Sequence, residues 1–258
     1  MSETVIREVT AGVWIFSRPF ARFGLLPVGG RSTAIKLQTG DVWVLASTKL
    51  DDPTKAKLHE LGPVKYIIAA DAVHTDFISE FKREFPDAKC IGVEPLFGKR
   101  KDIKWDGLYG KDAPDTVYGF EPEIQAQYFA AHVSKDVAFL HAPSKTLIEA
   151  DLLFNLPGKE QYSKTKSPNS LAIRWSAFGP DSALHKRFGL MIASDKAYVP
   201  SPTLLKLRTL TALYSVMRRD VQAVASWDFD RIIPCHGDVI EKDGKRAWTS
   251  AYERLLKG

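Results

Sequence analysis

Cysteine is scarce in this 258-residue chain: Cys90 and Cys235 are its only two, and neither stands in a C-x-x-C pair. They can form one bridge at most, so a disulfide framework and a thiolate zinc site are both poorly supported, and both thiols are expected to be reduced and buried. Long apolar runs are lacking too. Pro, Lys, Asp or Gly interrupts each of them before the roughly 20 residues that a membrane-spanning helix needs. The opening Met-Ser-Glu-Thr-Val-Ile-Arg-Glu-Val has neither the layout of a secretory signal nor that of a transit peptide. A cytoplasmic protein with no membrane partner is the expectation. No G-x-G-x-x-G or Walker pattern, internal repeat or low-complexity segment occurs. The net charge of +5 is dispersed, apart from Lys99, Arg100, Lys101 and Lys104 and from Lys159, Lys164 and Lys166. Such runs read as solvated loops without groove-reading or stacking elements, so the expected partner is a small-molecule substrate and not a nucleic acid. The oligomeric state is not legible.

What is present is an ordinary globular composition, 45% hydrophobic and 26% charged, long enough for a sizeable core and most simply counted as one domain over 1–258. The first fifty residues read as β structure, with runs at Val13 to Phe16, Ser32 to Leu37 and Val42 to Ala46. A helix follows, with Asp52 as its expected cap, Pro53 at its first position and Gly62 at its end. Val64 to Ala70 reads as a buried strand, Asp76 to Phe85 as a helix with Phe77, Ile78, Phe81 and Phe85 on one face, and Ala88 to Val93 as a strand. This is an α/β rhythm. Irregular excursions are expected around 98–118 and 155–200. Between them lie strands at Glu123 to Ala130, Asp136 to Ala142 and Lys145 to Ala150. A long helical region opens after Ser201-Pro202, then a strand Arg231 to Ile233 and a last helix from about Lys245.

Three of the six histidines, His74, His132 and His236, stand just past an expected strand in a short loop, and Asp151 does as well. Strand ends are where a sheet holds the backbone while the side chain faces a cleft. Imidazole and carboxylate groups gathered there would supply the N and O ligands that zinc, iron or manganese accept. At these residues the sequence resembles the metallo-β-lactamase superfamily. Ala72-Val73-His74-Thr75-Asp76-Phe77 is similar to its H-x-H-x-D-H motif with the first and last histidines replaced by Ala72 and Phe77. Ala130-Ala131-His132 resembles the third-motif histidine, Asp151 the bridging aspartate, and Ile232-Ile233-Pro234-Cys235-His236-Gly237 the last histidine motif. The run from Lys145 to Asn155 resembles a DUF4336-type branch of that superfamily.

The resemblance implies a four-layer αββα sandwich with mixed sheets and helices on the outer faces, and a metal site formed from His74, Asp76, His132, Asp151 and His236. Neither of the two usual metal positions keeps its full ligand set. Two close dications repel and each lost imidazole removes a ligand, so one ion is expected, zinc ahead of iron or manganese. The implied activity is a metal-dependent hydrolase or lyase acting on an ester, lactone or thioester, with Asp76 as base or orienting group. Two alternatives stay open: a non-catalytic binding descendant without metal, and a metal-dependent isomerase or oxidoreductase.

Each residue also has a plainer reading. Asp76 can cap the helix that follows it. His141, near in sequence, can replace His132 as the inward residue. His59 and His185 are expected to be solvated. Ser163-Lys164-Thr165-Lys166 matches S-x-x-K without its companion motifs. Cys235 and His236, as strand neighbours, point apart. Gly29-Gly30 reads as a turn. Trp105, Tyr109, Tyr162, Trp175 and Phe178 are expected to line the pocket.

Overall fold

The computed structural model describes residues 3–165, 178–191 and 203–257, and the side chains among them except those of 188–191 and 203–211. It opens with β1 (Val5–Thr10), β2 (Val13–Arg18), the short pair β3 (Ala21–Arg22) and β4 (Leu26–Pro27), β5 (Gly30–Lys36) and β6 (Val42–Leu45). Helix α1 (Asp52–Leu61), β7 (Val64–Ile68), α2 (Ile78–Glu84), β8 (Lys89–Val93), α3 (Leu96–Lys99) and β9 (Gly107–Tyr109) follow. These strands form a seven-stranded sheet in the order β1-β2-β5-β6-β7-β8-β9. Its β1-to-β6 pairings are antiparallel and those from β6 to β9 parallel.

The second sheet has four strands, β10 (Ile124–Tyr128), β11 (Val137–His141), β12 (Thr146–Glu149) and β13 (Arg231–Pro234), in that order. β10, β11 and β12 are an antiparallel meander, and β12 pairs parallel with β13, 85 residues further on at Thr146↔Arg231. The remaining helices are α4 (Lys159–Tyr162), α5 (Ala183–Met191), α6 (Thr203–Ser226), α7 (Gly244–Ala251) and α8 (Glu253–Leu256).

The layering follows from the two-residue period of strands. On β11, Val137 and Phe139 enter one core cluster while Ala138 and Leu140 enter another, and Ile148 and Ile233 part in the same way from Leu147 and Ile232. The first cluster lies between the sheets, where the Trp43 and Phe139 rings meet edge to face at 5.2 Å, and it continues to Leu58 of α1 and Phe81 of α2. The second is closed by Met217, Val221, Trp248 and Tyr252 from the C-terminal helices. Helix, sheet, sheet, helix is therefore the order of layers, as the resemblance implied.

Several local expectations are corrected. The cap of α1 is Asp51, whose side chain accepts from Thr54 N; Asp52 is already the first helical residue and Pro53 the second. Helix α2 begins at Ile78 after Phe77 with no side-chain cap, so Asp76 does not cap it. Strand β1 has no strong alternation, its residues being mostly half-buried at a sheet edge, and the pattern did not single it out. The 98–118 excursion returns to the sheet as β9, and the second excursion holds α4 and α5.

Candidate metal centre

The ends of β7, β12 and β13 and the turn from β10 to β11 converge on one rim. Each chain segment leaves its strand there, so a polar side chain can face the rim while the strand itself stays fully paired. His74 Nε2 lies 3.0 Å from His236 Nε2 and 4.0 Å from Asp151 Oδ1, and His236 Nε2 is 3.3 Å from the same oxygen. Among the described residues these three donor atoms form a group in which all lie within 4.8 Å of one another. Tetrahedral zinc with bonds of about 2.0–2.1 Å would space neighbouring N and O donors by about 3.4 Å, which the observed separations bracket.

The imidazoles are held with their Nε2 atoms turned inward. His74 Nδ1 meets Asp71 Oδ2 at 2.9 Å, while Asp71 Oδ1 accepts the backbone N–H groups of Val73 and His74. His236 Nδ1 lies 2.6 Å from the Gly29 carbonyl. A carboxylate or carbonyl on the far nitrogen fixes the tautomer that leaves Nε2 free to ligate. Two phenyl rings, Phe154 at 5.1 Å and Phe20 at 6.0 Å, lie near-parallel to the His236 ring and restrict its rotation. Gly29 is required for this contact: its φ is +71°, and a Cβ there would run into Gln161.

Behind His236 sits Arg31, fully buried, donating from Nη1 to the carbonyls of Pro234 and Gly237 and from Nε to Ser17 Oγ. Gln161 bonds the Cys235 carbonyl and the Gly237 N–H. Together they set the curve of the loop that carries His236. Asp151 is placed by Asp136, whose Oδ2 accepts the Asp151 N–H at 2.6 Å, and by Glu149, which accepts the N–H groups of Leu152 and Leu153.

Charge at the rim is uneven. Burial opposes a proton on His74, but Asp71 and Asp151 outweigh it and push the imidazole up to about 10. Burial likewise opposes the Asp151 charge, and His74, His236 and His132 overcome it, holding that carboxyl below the usual range. Asp136 and Glu149 are pushed well up, first by burial and then by neighbouring carboxylates. Of these three carboxyls, Asp151 is the one that holds its negative charge, and it is the one that faces the two imidazoles.

His132 is buried at the same rim, and burial brings it down to about 4 against the pull of Asp151 and Asp71. Its Nδ1 accepts from Ser134 N and lies 2.9 Å from Ser134 Oγ, while its Nε2 is buried with no hydrogen-bond partner. It stands outside the three-donor group. His141, at the other end of β11, is tied to Ser144 and is not at the rim. Asp76 is exposed on the wall of the neighbouring cavity, also outside the group.

His59 is exposed and pairs with Glu84, as expected of a surface residue. His185 is corrected: it is fully buried on α5 and its Nε2 accepts the Phe154 N–H at 3.0 Å. Burial brings it down to about 4. Cys235 and His236 do point apart, toward the Arg31 and Gly29 carbonyls. Of the expected pocket-lining aromatics, none of the described ones lines the cavity at His74 and His236. Trp105 borders a separate hollow, Tyr109 packs into the core, Tyr162 bonds the Phe20 carbonyl, and Phe178 packs on Phe154. The cavity is walled instead by the β2–β5, β6–α1 and β7–α2 connections, which are nearer to the rim than either excursion. Trp175 and Lys166 lie outside the described residues.

Asp71, Arg31, Gln161 and Gly29 were not among the sequence candidates. Asp71 alone carried a signal, an acid at the end of a strand three residues before His74. An arginine inside Gly30–Lys36 has nothing in its neighbourhood to mark it as buried.

No protein-family model matches the sequence, and no curated protein matches it. Solved structures do. The metallo-β-lactamase from Erythrobacter litoralis superposes with a TM-score of 0.61 at 11% identity, covering 100% of this chain and 98% of that one. That from Pontibacter korlensis gives 0.58 at 10%, covering 99% and 100%. FIM-1 from Pseudomonas aeruginosa, in its mono-zinc form, gives 0.59 at 12%, covering 99% and 96%. At these identities the likeness is one of fold. The chain has the α/β metallo-β-lactamase fold, and at its rim stands a His/Asp/His group able to bind one metal ion.

Proposed function

We propose that this protein is a metal-dependent hydrolase or lyase for a small organic ester, lactone or thioester, using one ion held by His74, Asp151 and His236, with zinc ahead of iron or manganese. The observation that carries the reading is the convergence of three donor atoms within 4.8 Å, with both imidazoles oriented by a contact at Nδ1 and the Asp151 backbone fixed by Asp136. Three protein ligands plus an open position are the usual pattern of catalytic zinc. FIM-1, of the same fold, is described in a mono-zinc form. The resemblance of Lys145 to Asn155 supports placing the chain in a divergent, DUF4336-type branch, and one domain over 1–258 is the simplest organisation for a core shared by both sheets.

When bound, the ion would polarise a carbonyl and acidify a water. The chain's own groups do the rest. Asp71 accepts from Nδ1 of His74, which holds the ring hydrogen there and makes the imidazole more basic, so that Nε2 is the atom a cation would meet. Phe20 and Phe154 hold His236 and keep bulk water from its ring faces. Asp76, exposed on the cavity wall, receives or orients a proton during attack. His132, whose Nε2 has no hydrogen-bond partner among the described residues, completes the rim as a donor toward Asp151, and would serve as a fourth ligand once its ring hydrogen moved to Nδ1, which here accepts from Ser134.

Ala72 and Phe77, where ligands stand in the full motif, favour a second reading: a non-catalytic binding protein of the same fold. The test is turnover of a panel of aryl esters, lactones and thioesters by the protein as purified and after chelation. Hydrolysis abolished by chelation and restored by zinc supports the first reading. Metal bound with the whole panel untouched rejects the hydrolase and leaves isomerase or redox chemistry.

A further inference from the structure

Beside the metal centre lies a cavity of about 400 Å³, with His74 and His236 in its wall. That is the size of a small-molecule site. The charged residues of its wall are unbalanced. Arg18, Arg22 and Lys49 are cationic and Asp76 is the one acid among them. Asp76 also leans electrostatically on Arg100, which lies outside the cavity.

The three cations come from three places: the end of β2, the short strand β3, and the β6–α1 connection. Among the described residues none has a strong partner. Arg18 Nη1 is buried and meets no acceptor among them. Arg22 reaches Asp151 only at 4.0 Å and is 44% exposed. Lys49 is exposed and makes no ion pair among the described residues. A guanidinium N–H removed from water without an acceptor is costly, and it persists where a ligand supplies the acceptor. The rest of the wall is apolar, with Pro19, Phe20, Val73 and Phe77.

Resting on the functional reading above, we infer that this cavity binds a small organic molecule with an apolar body and an oxyanion, a carboxylate or a phosphate, held by Arg18, Arg22 and Lys49. The forked N–H groups of arginine match an oxyanion in two-point contact. Arg22, spanning the oxyanion site and Asp151, would join the bound anion to the metal rim. The scissile carbonyl of such a substrate would then face His74 and His236.

The test is calorimetric titration with three unreactive probes sharing one phenyl body: phenylacetate, benzylphosphonate and the neutral phenylacetamide. Binding is measured on the protein as purified and again after chelation. At least one anion is expected to bind tenfold or more tighter than the amide, and whichever binds tighter identifies the oxyanion. Arg18→Gln should erase that preference while leaving amide affinity unchanged. Lys49→Gln, on an exposed loop position, should reduce it at least threefold and serves if Arg18→Gln misfolds. Equal affinity for all three probes overturns the inference. So does a preference that survives both substitutions, or one that vanishes on chelation yet ignores them, since the metal would then be the receptor. Because the probes are unreactive, anion preference without any ester turnover rejects the hydrolase and keeps this inference, and turnover without anion preference does the reverse.

Discussion

His74 and His236, 162 positions apart, face each other through their Nε2 atoms at 3.0 Å. Two neutral imidazoles gain one hydrogen bond from this, and a protonated pair would repel. A single proton between the two rings beside Asp151 satisfies this geometry, and so would one cation that both nitrogens and Asp151 address. The expectations below follow from that geometry.

Removing a donor should remove the metal. His236→Ala and Asp151→Ala should each lower zinc affinity by tenfold or more in competition with a chromophoric chelator, whereas His59→Ala, on the surface of α1, should leave it unchanged. Equal effects from all three would show that the ligands are elsewhere.

Asp71→Asn keeps an oxygen to accept the Val73 and His74 N–H groups but loses the charge on His74 Nδ1. Metal affinity should fall about 10–100-fold, the usual range for such outer contacts, with the circular dichroism spectrum unchanged. No change in affinity would mean that Asp71 serves only its turn.

Arg31 also lies 3.5 Å from Glu160 through Nη2, so Arg31→Met should destabilise the fold by about 3–5 kcal/mol, as when one partner of a buried ion pair is lost. It leaves the carbonyls of Pro234 and Gly237 without their donor. Urea denaturation measures the stability loss, and metal affinity of the folded fraction should fall as well, because the loop carrying His236 is loosened. Full stability in the variant would contradict the assigned role.

Acid should weaken the fold through His185. Burial lowers its pKa from the ordinary 6.5 to about 4, so between these values the unfolded chain binds the proton and the native chain does not. Its stability contribution is therefore fully present above pH 6.5 and declines as pH falls toward 4. The full limb is of order 3 kcal/mol by the conversion of about 1.4 kcal/mol per pKa unit. His185→Gln, whose amide oxygen can still accept from Phe154 N, should flatten this limb in denaturation measured from pH 7.5 to 4. An unchanged slope would show that His185 is not protonated on unfolding in this range.

Much of the fold was legible because its strands are short, apolar and punctuated. The pattern gave β2, β5 to β8 and β10 to β13 close to their observed bounds, and the Pro53 and Gly62 signals bounded α1 to within a residue. It did not show β1, whose half-buried residues lack a clean alternation, nor the burial of His185, because the Lys-rich surroundings of α5 masked a helix with an inward face. At the rim, strand ends followed by His or Asp pointed to His74, Asp151 and His236. Second contacts such as Arg31 and Gln161 come from segments distant in sequence, and no local signal marks them. The same limit misplaced the cavity wall: aromatic content suggested the excursions, while Phe20 and Phe77 beside the rim form it.

The most direct measurement is the metal content of the protein purified without added metal or chelator, by elemental analysis, followed by reconstitution with zinc. About one ion per chain, lost in His236→Ala, is the expected result. A wild-type chain holding less than a stoichiometric amount as purified and none after reconstitution would contradict a metal centre at His74, Asp151 and His236.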